Sequence, residues 1–195
     1  MDKTIFKPIH TKVNYSDDCI EVIKKDKAAP DENTYLRNTL YDFHNGTIEV
    51  DVLSKLTKDA PDYARGFIGI VFRANANDSE FESFYIRPTN GMNCLDPVRK
   101  SHGCQYFSYP GYTFAYFREF GIEGYENAVD TIALEKWSHI KAEIHDNKGI
   151  FFVDHKKVLE VNGFKHGANA RGAIGLYVDI GTDGFFKNLK VTCTD

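Results

Sequence analysis

Two arginines and a tyrosine close together in the middle of the chain carry the most specific chemistry the sequence offers. Residues 66–90 read GFIGIVFRANANDSEFESFYIRPTN, with apolar and aromatic arms on either side of an Asn/Asp/Ser cluster at residues 75–79. Alternation flanking such a cluster is the pattern of a β-hairpin. Strand side chains repeat with period 2, so Phe67, Val71 and Arg73 share a face of the first arm, and Phe81, Ser83, Tyr85 and Arg87 share a face of the second. If the two faces coincide, Arg73, Tyr85 and Arg87 form a cationic and aromatic patch suited to a polyhydroxylated or anionic ligand. The same residues equally describe a solvated sheet face with one cation–π pair.

The residues that follow widen this set. Asn90 and His102 lie in a long polar segment, residues 90–103, and Gln105 and Tyr106 in a short strand, residues 104–109. Tyr112, Arg118 and Glu119 belong to the densest aromatic stretch, residues 110–125, expected to be a loop or short irregular strand across the sheet edge. Sugar recognition needs flat rings for the apolar side of a pyranose and Arg, Asn, Gln or Glu for vicinal hydroxyls. The candidate ligand-binding set is therefore Arg73, Tyr85, Arg87, Asn90, Gln105, Tyr106, Tyr112 and Arg118. The competing reading makes Arg87 and Glu119 an internal ion pair and the tyrosines caps on the fold.

His102 with Glu119 offers general acid–base chemistry, because histidine titrates near neutral pH and a carboxylate can orient it. Cys104 is a weaker nucleophile candidate, since a cysteine on a strand usually packs. Asp183, in a Gly-flanked turn at residues 181–184, is the best candidate ligand for a structural calcium, although single carboxylates in turns are usually turn formers. No other cofactor is expected. Cys19, Cys94, Cys104 and Cys193 show no C-x-x-C spacing, which speaks against zinc; their disulfide state stays open, with free thiols favoured in a cytoplasmic protein.

The elements that must position these residues are strands. The 195 residues suit one domain, aromatics make up 14% of the chain, and Ala- or Leu-rich helical stretches are nearly absent. A net charge of −4 with no clustered basic face gives no footprint for nucleic acid, and no run of 18 apolar residues exists to span a membrane. The N-terminus lacks an apolar signal region, so a cytoplasmic protein is expected unless a leader has been removed. Strands are read at residues 5–13, 19–24, 34–39 and 47–53, in the hairpin, and at residues 104–109, 139–145, 150–153, 157–161, 173–178 and 185–192, with one helical turn at residues 131–136. About a dozen strands with one apolar face each are most economically buried as two stacked antiparallel sheets. The oligomeric state is not encoded in any motif.

The order of motifs resembles the concanavalin A-like lectin/glucanase superfamily. The residues that carry the resemblance are residues 45–52 (NGTIEVDV), 69–73 (GIVFR), 84–88 (FYIRP), 137–144 (WSHIKAEI), 151–154 (FFVD), 175–178 (GLYV) and 184–191 (GFFKNLKV). Within it the chain looks most like bacterial LamG-like domains with FYIRP, a long loop, QY-x-S-x-P-x-Y, RE and a closing GFF-x-NL. The resemblance implies an all-β jelly-roll sandwich and a carbohydrate partner, bound over the concave sheet. Laminarinase-type glycosidases of this superfamily carry Glu, Asp and Glu on one strand face, which draws Glu49 and Asp51 into the candidate catalytic set with Glu119 and His102. Retaining hydrolysis needs two carboxyl groups about 5–5.5 Å apart. The third acid is missing, because Val52, Leu53 and Ser54 follow Asp51, so a lectin-like domain is favoured, with a glycosidase and a ligand-free interaction module as alternatives.

Overall fold

The computed structural model describes residues 3–194, and they form two antiparallel seven-stranded sheets stacked face to face, the expected jelly-roll sandwich. The front sheet runs in the order β1 (Phe6–Ile9), β4 (Tyr35–Phe43), β13 (Gly172–Val178), β6 (Ile68–Ala74), β7 (Phe81–Ile86), β8 (Cys104–Tyr109) and β9 (Glu126–Asn127). The back sheet runs β12 (Lys156–Asn162), β11 (Lys148–Val153), β10 (Ser138–His145), β5 (Gly46–Leu56), β14 (Thr182–Cys193), β3 (Ile20–Lys24) and β2 (Thr11–Tyr15). The hairpin formed by β6 and β7 holds the centre of the front sheet, paired from Ile68 with Ile86 to Phe72 with Glu82.

The back sheet follows the alternation in its sequence. In β5 Ile48, Val50 and Val52 are buried while Glu49 and Asp51 face outward, and β10 buries Ile140, Ala142 and Ile144 against them. Their partners across the interior include Phe72 and Phe84, with Phe84 stacked on Phe151 at 4.4 Å between ring centroids. Aromatic pairs in this geometry add about 0.5–1.5 kcal/mol beyond the area they bury.

The front sheet departs from that pattern, because every residue of β6 and β7 is buried. Its outer face carries a second apolar layer of Tyr35, Val71, Phe81, Tyr85, Phe107 and Tyr177. Gly175 makes room for it, since a Cβ there would sit 2.4 Å from the Tyr35 ring. A strap, residues 25–34, lies over this layer. Asn33 Nδ2 donates to the Asp78 carbonyl at one end (3.2 Å), and the Asp31 backbone N–H donates to Asp179 Oδ2 at the other (2.8 Å).

Several local expectations are revised. The strand read at residues 5–13 is two strands in different sheets, because His10 adopts φ 46° and turns the chain from β1 into β2. The segment at residues 110–125 contains a helix, α2 (Phe114–Glu119), whose Phe117 packs into the core beside Tyr106, and the polar segment holds another, α1 (Pro97–Lys100), capped by Asp96. Residues 131–136 form turns without a helix, and Thr182 and Asp183 belong to β14, so Asp183 is a strand residue.

Phe151 touches both Phe72 and Phe84 at full burial, so Phe151→Ala opens a cavity at the centre of the sandwich. The expected loss is about 3–5 kcal/mol of unfolding free energy, read as a lowered urea midpoint at unchanged slope.

Candidate functional site

At the end of the front sheet away from the 75–79 turn, connections from four parts of the chain enclose a pocket of about 360 Å³. The β5–β6 connection brings Tyr63, Arg65 and Phe67 to it; the end of β7 and the turn after it bring Arg87 and Asn90. Arg99 enters from α1, His102 from the approach to β8, Phe114 and Arg118 from α2, and Pro30 from the strap. A second cavity of about 460 Å³ shares Tyr63 and otherwise runs beside Lys24, Lys27 and Asp59. Only the first has a fully buried guanidinium in its wall, and it is the candidate site.

Arg87 is 4% exposed. A guanidinium stays charged even when buried, so its donors must be met inside the protein. Nη2 donates to the Tyr85 hydroxyl (3.1 Å) and Gln105 Oε1 (3.1 Å), and Nη1 donates to the His102 carbonyl (3.2 Å) and Glu126 Oε2 (3.3 Å). Glu126 also accepts from Arg118 Nη2 (2.9 Å) and lies 2.9 Å from His102 Nδ1, without hydrogen-bond alignment to that ring nitrogen. Burial pushes the Glu126 carboxyl up, but the Arg118 hydrogen bond and charge, with Arg87 and His102 behind them, outweigh it and hold the group below the ordinary carboxylate range. Such a carboxylate stays ionised near neutral pH and is poorly suited to donate a proton.

Beneath the pocket the strap delivers Asp31. Its Oδ2 accepts the Phe114 backbone N–H (2.9 Å), tying the strap to the start of α2, and Asp179 next to it is paired with Lys24 Nζ at 2.7 Å. Burial, then the charge of Asp179, raises the Asp31 carboxyl from 3.8 to about 7, with Arg87 pulling the other way.

The sequence-derived candidates separate into groups. Arg87, Asn90, His102 and Arg118 line the pocket, while Tyr85 and Gln105 stand behind it, bonded to Arg87. Tyr106, the next residue along β8, points to the opposite face and ends in the inner core, its hydroxyl donating to Glu82. Arg73 does not join Tyr85 and Arg87. It adopts φ 55°, which breaks the alternation of β6: Ala74 falls on the outer layer, and Arg73 stacks over Phe164 of the inner core at 5.3 Å. Its guanidinium there donates to the carbonyls of His44 (2.9 Å) and Asp146 (2.8 Å). Tyr112, half-buried against the inner core, packs edge-on against Tyr116 of α2, and Glu119 is exposed at the end of that helix, so His102 meets Glu126 in its place.

Glu49 and Asp51 lie on the outer face of the back sheet. His139 sits between them, with Nδ1 2.7 Å from Asp51 and Nε2 3.4 Å from Glu49, so neither can act on a ligand held by Arg87. Among the described residues no carboxylate lines the pocket, and a retaining pair is not assembled there. Burial pushes the Cys104 thiol up to about 12, which leaves it without thiolate character, and none of the four cysteines is in a disulfide. Asp183 is raised to about 6 by partial burial and by Glu21; among the described residues no cluster of three or more His, Cys, Asp or Glu side chains is placed to hold a metal ion.

The residues that sequence reasoning missed, Asp31, Tyr63, Arg65, Arg99, Phe114 and Glu126, all sit in connections or short terminal elements. Periodicity is silent there. The one available signal was Asp96-Pro97, an N-cap followed by proline at the first helical position, which places α1 and with it Arg99.

No family model matches the chain, and no curated protein matches it in sequence. Solved structures match over nearly its whole length. The carbohydrate-binding module CBM66 from Bacillus subtilis superposes with a TM-score of 0.64 at 12% identity, covering 95% of this chain and 93% of that one. A glycosyl hydrolase-like protein from Parabacteroides distasonis gives 0.62 at 13% identity, over 100% and 90% of the two chains. A galectin-like protein of unknown function from Bacillus subtilis gives 0.61 at 11% identity, over 95% and 87%. At these identities the likeness is one of fold.

Asp31 generates a stability test with a definite sign. Its carboxyl ionises near 3.8 in the unfolded chain and near 7 in the folded protein, so the folded state holds the extra proton between those values. The contribution of this group to stability therefore falls as pH rises from about 4 to about 7 and is level above that. Asp31→Asn removes the penalty. Its unfolding free energy is expected to gain on the wild type across that window, by at most about 1.4 kcal/mol per pH unit, in urea titrations at several pH values; a pH-independent difference would contradict the assignment.

Proposed function

We propose that this chain is a carbohydrate-binding domain and that the arginine-lined pocket at the end of the front sheet is its sugar site. One observation carries the reading. Two aromatic side chains, Tyr63 and Phe114, stand beside convergent guanidiniums around a single cavity, and Tyr63 is 51% exposed at its rim. A ring open to solvent next to bidentate donors is what a pyranose requires: a flat apolar surface for its C–H face and fixed polar groups for its hydroxyls. The volume of about 360 Å³ falls within the range of about 300–1,000 Å³ usual for small-molecule sites.

Support from fold is consistent with this. One of the proteins that share the sandwich is named as a carbohydrate-binding module and another as glycosyl hydrolase-like. The finer resemblance to bacterial LamG-like domains, carried by the FYIRP and GFF-x-NL motifs, belongs to the same reading. The site proposed here lies in the loops at one end of the sheet, because the sheet face itself is filled by Tyr85, Phe107 and Tyr177 under the strap.

A glycan array probed with the wild type and with Tyr63→Ala tests the proposal. Signal on a subset of glycans is expected for the wild type, with affinity for those glycans reduced about tenfold or more in the variant, equivalent to about 1.4 kcal/mol. Tyr63 supports no core packing, so the variant should keep the wild-type circular dichroism spectrum. A folded wild type that binds no glycan, or a Tyr63→Ala protein that binds them all equally well, would overturn it.

A further inference from the structure

Charge is unevenly distributed around the pocket. The chain as a whole carries −4, yet Arg65, Arg87, Arg99 and Arg118 line one cavity with His102, and no described carboxylate lines it with them. The acid nearest to this group, Glu126, is engaged by Arg87, Arg118 and His102. The other two guanidiniums are held by neutral groups. Arg65 Nη1 donates to the carbonyls of Asp62 (2.7 Å) and Ala64 (2.8 Å). Arg99 donates to Asn90 Oδ1 (3.2 Å), the Thr89 carbonyl (3.3 Å) and Thr89 Oγ1 (3.0 Å).

Bonds of that kind aim a guanidinium without neutralising it. Like charges held together repel, and partial burial strengthens the repulsion. Burial, followed by the charges of Arg99 and Arg87, holds Arg65 below the ordinary arginine range, with Asp62 offsetting part of the effect. A protein with acidic residues in excess has nonetheless placed in one wall two oriented arginines whose hydrogen-bond acceptors are all neutral. An anion arriving from outside supplies the missing charge, and the planar fork of arginine matches a carboxylate or sulfate oxygen pair.

We propose that the pocket selects an acidic sugar, with a ring-borne oxyanion, a uronate carboxylate or a sulfate ester, received between Arg65 and Arg99 and the ring lying against Tyr63 and Phe114. The proposal rests on the sugar-binding reading and adds the ligand class. Phe67, which is buried, and the half-buried Pro30 border the same pocket, so the ion pairs form in a less screened environment than on an open surface.

Isothermal titration of the full chain with four probes tests it: oligogalacturonides, the same oligosaccharides as methyl esters, sulfated galactan oligosaccharides and neutral galactan oligosaccharides. Esterification removes the charge and leaves the backbone, so it isolates the oxyanion. Tighter binding of at least one acidic probe, by tenfold or more over its neutral counterpart, is expected. The preference should shrink as salt is raised and disappear in Arg65→Gln and in Arg99→Gln, with near-ultraviolet circular dichroism confirming that both variants are folded. The uronide and sulfate arms then identify which oxyanion is recognised. If the acidic and neutral forms bind equally, or if both folded variants keep the preference, the acidic-sugar proposal is overturned while sugar binding stands. If none of the four probes binds and the glycan array is also blank, the sugar-binding reading falls and takes this proposal with it.

Discussion

Burying the Arg87 guanidinium is the constraint that organises this end of the molecule. A charge that cannot be discharged by proton loss costs several kcal/mol to take out of water unless its donors are satisfied. The protein meets them from four directions: Tyr85 near the end of β7, Gln105 on the neighbouring strand, the His102 carbonyl before that strand, and Glu126 in the short edge strand beyond. Each partner then constrains its own element. Glu126 draws Arg118 of α2 and His102 inward, and the His102 carbonyl also accepts from Asn90 Nδ2 at 3.0 Å, which fixes the turn after β7. Asn90 in turn orients Arg99. Asn90, Arg99, His102 and Arg118 are thus tied into one network radiating from Arg87.

The second organising feature is the burial of the front sheet on both faces. Sandwich sheets ordinarily present one face to solvent. Here the outer face carries tyrosine and phenylalanine rings at 5–6 Å centroid spacings, as between Tyr85 and Phe107 at 5.7 Å, and the strap covers them. A strap over an apolar layer has its own backbone and acids to satisfy. Asp31 solves part of this by accepting the Phe114 N–H, which couples the strap to the helix that forms one side of the pocket. Tyr35 and Arg37 perform the same task at the far end, both donating to Asp78. The site's location follows from this: with the sheet face occupied, the arginine-lined pocket opens among the loops at its end.

The two carboxylates on the back sheet illustrate how a face can mislead. Glu49 and Asp51 are adjacent on one side of β5, as their spacing requires, but that side is the outer surface of the other sheet, where His139 and Asn188 bind Asp51. Burial raises the Asp51 carboxyl, but the Asn188 and His139 hydrogen bonds and the charges of His139 and Lys187 together more than reverse it, so the group sits below the ordinary range. These contacts describe a solvent-facing network of a half-buried strand.

What the sequence by itself determined was most of the strands, the central hairpin and the two-sheet sandwich, because period-2 alternation and turn clusters are local signals that burial then enforces. Arg87, Tyr85 and Gln105 were legible as a group for the same reason: β7 and β8 are regular, so same-face residues on neighbouring strands meet. Arg73 was not, because one residue in the left-handed region reverses the parity of β6, and no pattern in FIGIVFRAN announces it. Only the tertiary structure decided that the outer sheet face is filled, that His102 meets Glu126 in place of Glu119, and that Arg65 and Arg99 line one pocket whose described lining residues include no carboxylate. Those facts depend on how loops of irregular backbone pack against one another, and loop packing is set by long-range contacts that no residue spacing encodes.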